Sequence, residues 1–239
     1  MKNSLDDHIN AYHDEFKYSI DNKLILNWYP ERITEKMNNG SLLELGIGHG
    51  YTVNKFYNMV DSYKIIEGSQ KVINFFKKRY AFPKLDIVKC FFENFDTNEK
   101  FDNIVMGFIL EHVDAPDFII TKYKKFLAKN GKLFIAVPNS DALNRRIGFE
   151  AGLLDDLKHL SKADKLLGHK RYFNLSKLEK LVENSGMRVV STEGIFLKPI
   201  TTDQIRTLGF DDNILKAFFK VGINYPELCV AILMELQHE

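Results

Sequence analysis

Glu44-Leu45-Gly46-Ile47-Gly48-His49-Gly50 sits directly after a short apolar run, Ser41 to Leu45, and directly before an amphipathic segment, Tyr51 to Met59. Glycines at such a junction let the backbone pass close to a ligand, and the helix start behind them offers unpaired N–H groups. A dinucleotide-binding loop spaces its glycines GxGxxG; here the third arrives one residue early, as GxGxG. The shorter loop has no pyrophosphate to cradle, which favours a nucleoside ligand without phosphates. Glu67 ends the next apolar run, 21 residues beyond Gly46. A carboxylate in that place can accept hydrogen bonds from both ribose hydroxyls.

Outward from this loop, short apolar runs alternate with amphipathic segments. Strands are expected at Ser41 to Leu45, Tyr63 to Glu67, Leu85 to Cys90, Phe101 to Met106 and Lys132 to Val137, with helices at Tyr51 to Met59, Gln70 to Arg79 and Asp117 to Leu127. Asn130-Gly131 reads as the C-cap and turn closing the last of these helices. That alternation implies a parallel sheet with helices on both faces. Upstream, Leu24, Ile25, Trp28, Ile33 and Met37 recur at helical spacing, and Pro30 predicts a break between two helices in a helical segment over 1–40. Downstream, regularity fails from Pro138 to Phe173, too long for an ordinary loop, and a cap insertion over 139–175 is expected. Ser176 with Glu179 predicts a capping box opening a helix to Ser185, and Met187 to Ser191 and Leu228 to Leu236 predict the final strands. One domain over 1–239 with a cap is the economical description.

Composition narrows the function. The 239 residues carry 33 Lys+Arg against 32 Asp+Glu, a net charge of +1, which argues against a polyanion surface and so against nucleic acid. No apolar run approaches the ~20 residues of a membrane span, and the polar start MKNSLDDHIN is unlike a secretory signal, so no membrane association and a cytoplasmic location are expected. Cys90 and Cys229 form no CxxC pair and read as two buried thiols. No Asp, Glu and His cluster has metal-ligand spacing in the sequence, and no metal is expected.

On these residues the sequence resembles the class I S-adenosylmethionine-dependent methyltransferases, whose first motif is similar to ELGIGHG, and the likeness runs through residues 41–139. The resemblance implies a Rossmann-like seven-stranded α/β sheet whose last strand is antiparallel, and S-adenosylmethionine as cofactor with S-adenosylhomocysteine as product. It further implies that Glu44, Gly46 and Gly48 face the methionine part and that Glu67, Gly68 and Ser69 hold the ribose. Phe92 and Glu93, in the turn Cys90 to Phe95, would read adenine, though many relatives have Asp where Phe91 stands. Gly107 and Phe108, in Gly107-Phe108-Ile109-Leu110-Glu111-His112-Val113, would lie against the sulfonium. Beyond these motifs, PNSDALNRRIG, LSKADKLLGHKRYF, GIFLKPITTDQ and YPELCVAIL resemble a subgroup associated with bacterial polysaccharide and sugar-nucleotide biosynthesis.

For the acceptor, the stretch after strand four reads Met106-Gly107-Phe108-Ile109 and lacks the (Asn/Asp)-Pro-Pro-(Tyr/Phe) turn of amine and amide methyltransferases. Three of the seven arginines, Arg145, Arg146 and Arg171, lie in the cap with Asn139, Asn144, His159, Asp164 and His169. Arginine forks match phosphate or carboxylate, so a small anionic acceptor is expected, with Asn139, Arg145, His159 and Arg171 as its binding residues. The other reading of these arginines is pairing with Asp141, Glu150, Asp155, Asp156 and Asp164 on a solvated cap. The general base is expected to be His169, ending the cap, then His112, facing the sulfonium, and third His159. His49 is expected to be exposed, and His8, Tyr12, His13 and Tyr18 to belong to a segment closing over the cofactor. The leading expectation is O-methylation of a nucleotide-linked sugar or a phosphate- or phosphoramidate-bearing cell-envelope precursor. N-methylation of an amino sugar, cofactor binding without chemistry, and a nicotinamide oxidoreductase are the alternatives.

Overall fold

The computed structural model describes residues 19–239, in the order α1 (Ser19–Thr34), β1 (Ser41–Leu45), α2 (Tyr51–Phe56), β2 (Ser62–Glu67), α3 (Gln70–Arg79), β3 (Leu85–Lys89), β4 (Phe101–Gly107), α4 (Pro116–Lys124), β5 (Leu127–Pro138), α5 (Leu143–Glu150), α6 (Lys162–Leu166), α7 (Leu175–Asn184), β6 (Met187–Ile195), α8 (Thr202–Leu208), α9 (Asp212–Gly222) and β7 (Ala231–His238). The seven strands form one sheet in the order β3-β2-β1-β4-β5-β7-β6. The first five pair in parallel, and β7 runs antiparallel to both β5 and β6. Chain order reverses at β1, so β1 and β4 diverge in their connections and leave a crevice beyond their C-terminal ends.

Side-chain alternation along the central strands explains the two layers of helix. Leu43 and Leu45 of β1, Ile104 and Met106 of β4, and Leu133, Ile135 and Val137 of β5 enter one core with Ile119, Ile120 and Tyr123 of α4 and Leu178 and Val182 of α7. Leu42, Val105, Phe134 and Ala136 face the opposite core with Tyr29 and Ile33 of α1, Phe56 of α2, Phe76 of α3 and Phe219 of α9. Truncating one of the buried Leu, Ile, Met or Phe side chains among these to Ala would cost about 2–5 kcal/mol. None of the described helices is long and apolar enough to cross a membrane.

Several elements depart from expectation for identifiable reasons. Pro30 lies inside the continuous α1, whose flanking Tyr29 and Ile33 are buried at 3% and 0% exposure, so packing outweighs the missing backbone donor. Asn130-Gly131 closes no helix. The register jumps from Phe101↔Leu127 to Asn103↔Lys132, which places those residues in a bulge of β5, whose ladder begins five residues earlier than expected. Asn174, two residues before Ser176, caps α7, its side chain accepting from Lys177 N at 3.0 Å. Cys229 is buried and Cys90 only half-buried, and both are free thiols. The helices α8 and α9 were not expected, although Thr201 and Gln204 form a reciprocal capping box and Asp211 caps the second helix.

Candidate active site

The strand ends and the cap enclose a cavity of about 750 Å³. On one wall Gly48 adopts φ +50, and a Cβ built on it meets nothing within 4 Å, so its lack of a side chain keeps the space above the loop open. Glu67, at the end of β2, is braced between two backbone donors: Oε2 accepts from Ile47 N at 3.1 Å and Oε1 from Ser69 N at 2.7 Å. Two backbone donors fix the carboxylate's orientation and tie the glycine loop to the Gly68-Ser69 turn. Ser69 in turn caps α3, accepting from Val72 N at 3.2 Å. Glu44 is buried behind the loop, where Tyr63 donates a hydrogen bond to it. Burial pushes its carboxyl up to about 7, against the opposing pull of hydrogen bonds from Tyr63 and Thr52.

The loops after β3 and β4 complete this wall. Tyr123 of α4 donates to Phe92 O at 3.1 Å and anchors the turn carrying Phe91, Phe92 and Glu93. Gly107 is required by close approach, since a Cβ there would lie 2.4 Å from the Tyr29 hydroxyl. Tyr29 thus seats α1 against the end of β4, and its ring meets Phe108 edge-on at 5.3 Å. Phe108 itself holds φ +57, costly for a residue with a Cβ, at the point where the chain leaves the sheet toward the cavity. All of Glu44, Gly46, Gly48, Glu67, Gly68, Ser69, Phe92, Glu93, Gly107 and Phe108 line the cavity.

The opposite wall joins distant segments. Lys170 N donates to Glu111 O at 2.8 Å, docking the end of the cap on the loop after β4. His112 and His169, both on the cavity, meet edge to face with ring centroids 4.8 Å apart. Asp164 Oδ1 lies 3.4 Å from His169 Nδ1, while Oδ2 accepts from Ser161 N, Ser161 Oγ and the Tyr172 hydroxyl at 2.7, 2.5 and 2.9 Å. Burial raises the Asp164 carboxyl, but the contacts with His169, Ser161 and Tyr172 outweigh it and hold the group at about 2, an anion behind the imidazole. Glu111 is fully buried beside this pair, and burial pushes its carboxyl up to about 7 against the opposing influence of His169. Ligand atoms of Glu111, His112 and His169 all lie within 4.8 Å of one another. The fold therefore gathers a metal-type donor set where linear spacing showed none, because His169 stands 57 residues beyond His112.

The residues expected to hold an anion are placed differently from one another. Asn139 reaches the cavity, but its amide nitrogen donates to Glu227 O and Cys229 O at 3.0 and 2.8 Å and its Oδ1 accepts from Asp141 N, so it clasps the approach to β7. Arg145 also lines the cavity, with its guanidinium 4.5 Å over the Tyr172 ring and donating to Ser140 O, Leu157 O and His159 O at 3.2, 2.6 and 3.0 Å. His159 and Arg171 do not line it; Arg171 donates to Asp114 O at 3.2 Å. Of the acidic residues expected to pair with the cap arginines, Asp141 does so, with Arg146 at 3.4 Å. Asn144 and Asp164, expected among the polar residues of the cap, do line the cavity, whereas Tyr29, Tyr172 and Lys198 were passed over as cavity residues. His49 is half-buried, lines the cavity and stacks on Tyr51 at 5.8 Å, while His8, Tyr12, His13 and Tyr18 lie outside the described residues.

Residues 20–192 match the family model described as a methyltransferase domain. The ubiquinone biosynthesis O-methyltransferase of Pelagibacter ubique is 34% identical over 106 residues, 43% of this chain, and the match spans 44% of that relative's length. Among solved structures, a Thermotoga maritima S-adenosylmethionine-dependent methyltransferase, described as a possible histamine N-methyltransferase, superposes with a TM-score of 0.64 over 99% of both chains at 14% identity. The Bradyrhizobium japonicum N-methyltransferase NodS, in complex with S-adenosylhomocysteine, gives a TM-score of 0.55 over 94% of this chain and 89% of that one, at 15% identity. With a seven-stranded sheet of mixed direction and a matched domain covering most of its length, the chain belongs to the S-adenosylmethionine-dependent methyltransferases of the class I fold.

Proposed function

We propose that the protein transfers a methyl group from S-adenosylmethionine to an oxygen of a small acceptor that carries negative charge. The observation that carries this reading is the single cavity lined both by the glycine loop with Glu67 and by the His112–His169 pair under the cap. In it Glu67, Gly68 and Ser69 hold the ribose, Glu44 and the loop face the methionine moiety, Phe92 and Glu93 flank the adenine, and Gly107 and Phe108 border the sulfonium. The 34% identical relative's name as an O-methyltransferase supports oxygen as the atom methylated. The cap's sequence likeness to enzymes of polysaccharide and sugar-nucleotide biosynthesis supports a nucleotide-linked sugar, or a phosphate- or phosphoramidate-bearing envelope precursor, as the acceptor class.

Transfer is an in-line displacement: the acceptor oxygen forms a bond to the methyl carbon as the carbon–sulfur bond breaks, and the electron pair stays on sulfur to leave a neutral thioether. Positioning and exclusion of water supply much of the acceleration in such a step. A hydroxyl acceptor surrenders its proton to the His112–His169 pair, of which His169, backed by Asp164, is the better base; an oxyanion has no proton to surrender. Incubating the protein with S-adenosylmethionine and a panel of nucleotide sugars and phosphorylated intermediates tests this by mass spectrometry. One added methyl on an oxygen of a panel member is expected. A product methylated on nitrogen would replace oxygen by amine as the acceptor.

A further inference from the structure

Glu111 has no part in the methyl transfer just described, yet it is buried at 0% exposure on the cavity wall and neither of its carboxylate oxygens has a hydrogen-bond partner among the described residues. A buried carboxylate without donors is costly, and such groups are found paired or bound to metal. Its neighbours are two imidazoles. The Lys170 N to Glu111 O hydrogen bond brings the Gly168–Lys170 turn against the loop after β4, setting His169 beside His112. Asp164, itself fixed by Ser161 and Tyr172, faces His169 Nδ1 and leaves Nε2 as the ring's available lone pair. A carboxylate behind a histidine is the arrangement that orients a metal-ligating imidazole.

We propose that Glu111, His112 and His169 form a binding site for a divalent first-row transition ion, whose remaining coordination positions open to the cavity and take oxygens of the acceptor's anionic group. Two imidazoles and one carboxylate suit zinc, manganese or iron better than magnesium or calcium, which prefer all-oxygen shells. Three protein ligands leave positions free, as in metal sites that meet a substrate. The ligand atoms, now within 4.8 Å of one another, need only side-chain adjustment to close on an ion. The ion also supplies positive charge that the cap arginines do not offer: Arg145 is committed to three carbonyl oxygens, and Arg171 points at Asp114 O. An acceptor methylated on an oxyanion needs no base, which leaves both histidines available as ligands. The ion's contact with the acceptor rests on the anionic-acceptor reading; binding of the ion does not.

The test uses the full chain after chelator treatment and dialysis, titrated with Zn²⁺ in a calorimeter and with Co²⁺ by visible absorption, beside Glu111→Gln and His169→Gln. One equivalent is expected to bind with a dissociation constant in the micromolar range or below, with ligand-field bands from Co²⁺, and each substitution is expected to weaken Zn²⁺ at least about tenfold. No stoichiometric binding to the native chain overturns the proposal, as does undiminished binding by either variant that retains a cooperative thermal transition. If the variants do not fold, the Co²⁺ spectrum of the native chain decides: bands of imidazole and carboxylate coordination support the site, and the spectrum of the hydrated ion alone overturns it. S-adenosylmethionine binding is titrated in parallel on the ion-free native chain. A native chain that binds S-adenosylmethionine but fails to bind Zn²⁺ loses only the metal site, and one that binds Zn²⁺ but not S-adenosylmethionine loses the methyl-transfer reading instead.

Discussion

The cofactor wall and the acceptor wall of the cavity are built from segments of very different reach. Between Glu44 and Phe108 the lining residues stand at the C-terminal ends of parallel strands, in the loops beyond them, or in the first turns of α2 and α3, and the bracing contacts are short in sequence: Glu67 to Ser69, and Glu67 to Ile47 across 20 residues. The acceptor wall is assembled from afar, with Asn139 held by carbonyls 88 and 90 residues on and Glu111 docked to Lys170. A ligand common to a whole family can be held by local strand-end geometry, because the sheet imposes it. Acceptor recognition, which differs between relatives, lies where loops and insertions meet and can change without disturbing the sheet.

Substitutions that strike one wall should leave the other working. Gly48→Val should have the largest effect. Its left-handed backbone costs a branched residue about 1–2 kcal/mol of stability, but the side chain enters the space above the loop, and S-adenosylmethionine affinity should fall by about 100-fold or more, read by calorimetry. Equal affinity would mean that the cofactor does not cross the glycine loop. On the acceptor wall, His169→Ala should lower kcat by about 10² with a hydroxyl acceptor, while an oxyanion acceptor should show mainly a raised KM. Steady-state kinetics separate the two cases, and unchanged kcat and KM would remove His169 from the site.

A smaller effect follows from Glu44, whose carboxyl sits near 7 in the free protein. If Glu44 faces the cofactor's ammonium as proposed, binding favours its ionised form, so below pH 7 a proton must leave on binding. Affinity should therefore fall as pH drops from 7 to 5.5, by up to about tenfold per unit, and Glu44→Gln should flatten the profile. A slope that survives in that variant would assign the proton elsewhere, Glu111 being the other buried carboxyl with a raised value. Arg145→Ala should have the mildest consequence for the chemistry of the cofactor wall. Losing three main-chain contacts should cost about 2 kcal/mol of stability and lower Tm, with S-adenosylmethionine affinity unchanged within about twofold. A matching loss of cofactor affinity would show that the two walls are coupled.

The same division explains what could be read from sequence. The strands β1 to β4 and the helix α3 fall within a residue or two of their expected bounds, because period-two burial and helix capping are local signals. The glycine loop and Glu67 were legible because their spacing reports the βαβ unit that positions them. Arg145 was legible as a cation in the cap but not as one committed to carbonyls at Leu157 and His159, since nothing in the order of residues shows which backbone groups a folded cap leaves unpaired. Likewise Glu111 was only quoted in a motif, while His112 and His169 were singled out as alternative bases and not as neighbours. Their meeting depends on the Lys170 to Glu111 backbone bond, a long-range contact without a sequence pattern. Tyr29 and Lys198 are cavity residues only because α1 and the segment before α8 fold back over the strand ends.

Titration of S-adenosylmethionine into the native chain and into Glu67→Ala tests the centre of this description most directly. One cofactor per chain should bind to the native protein, and removing the braced carboxylate should weaken it by about 1.5–3 kcal/mol, some ten- to a hundredfold. Heat with NADH but none with S-adenosylmethionine, or equal affinity in the two proteins, would contradict it.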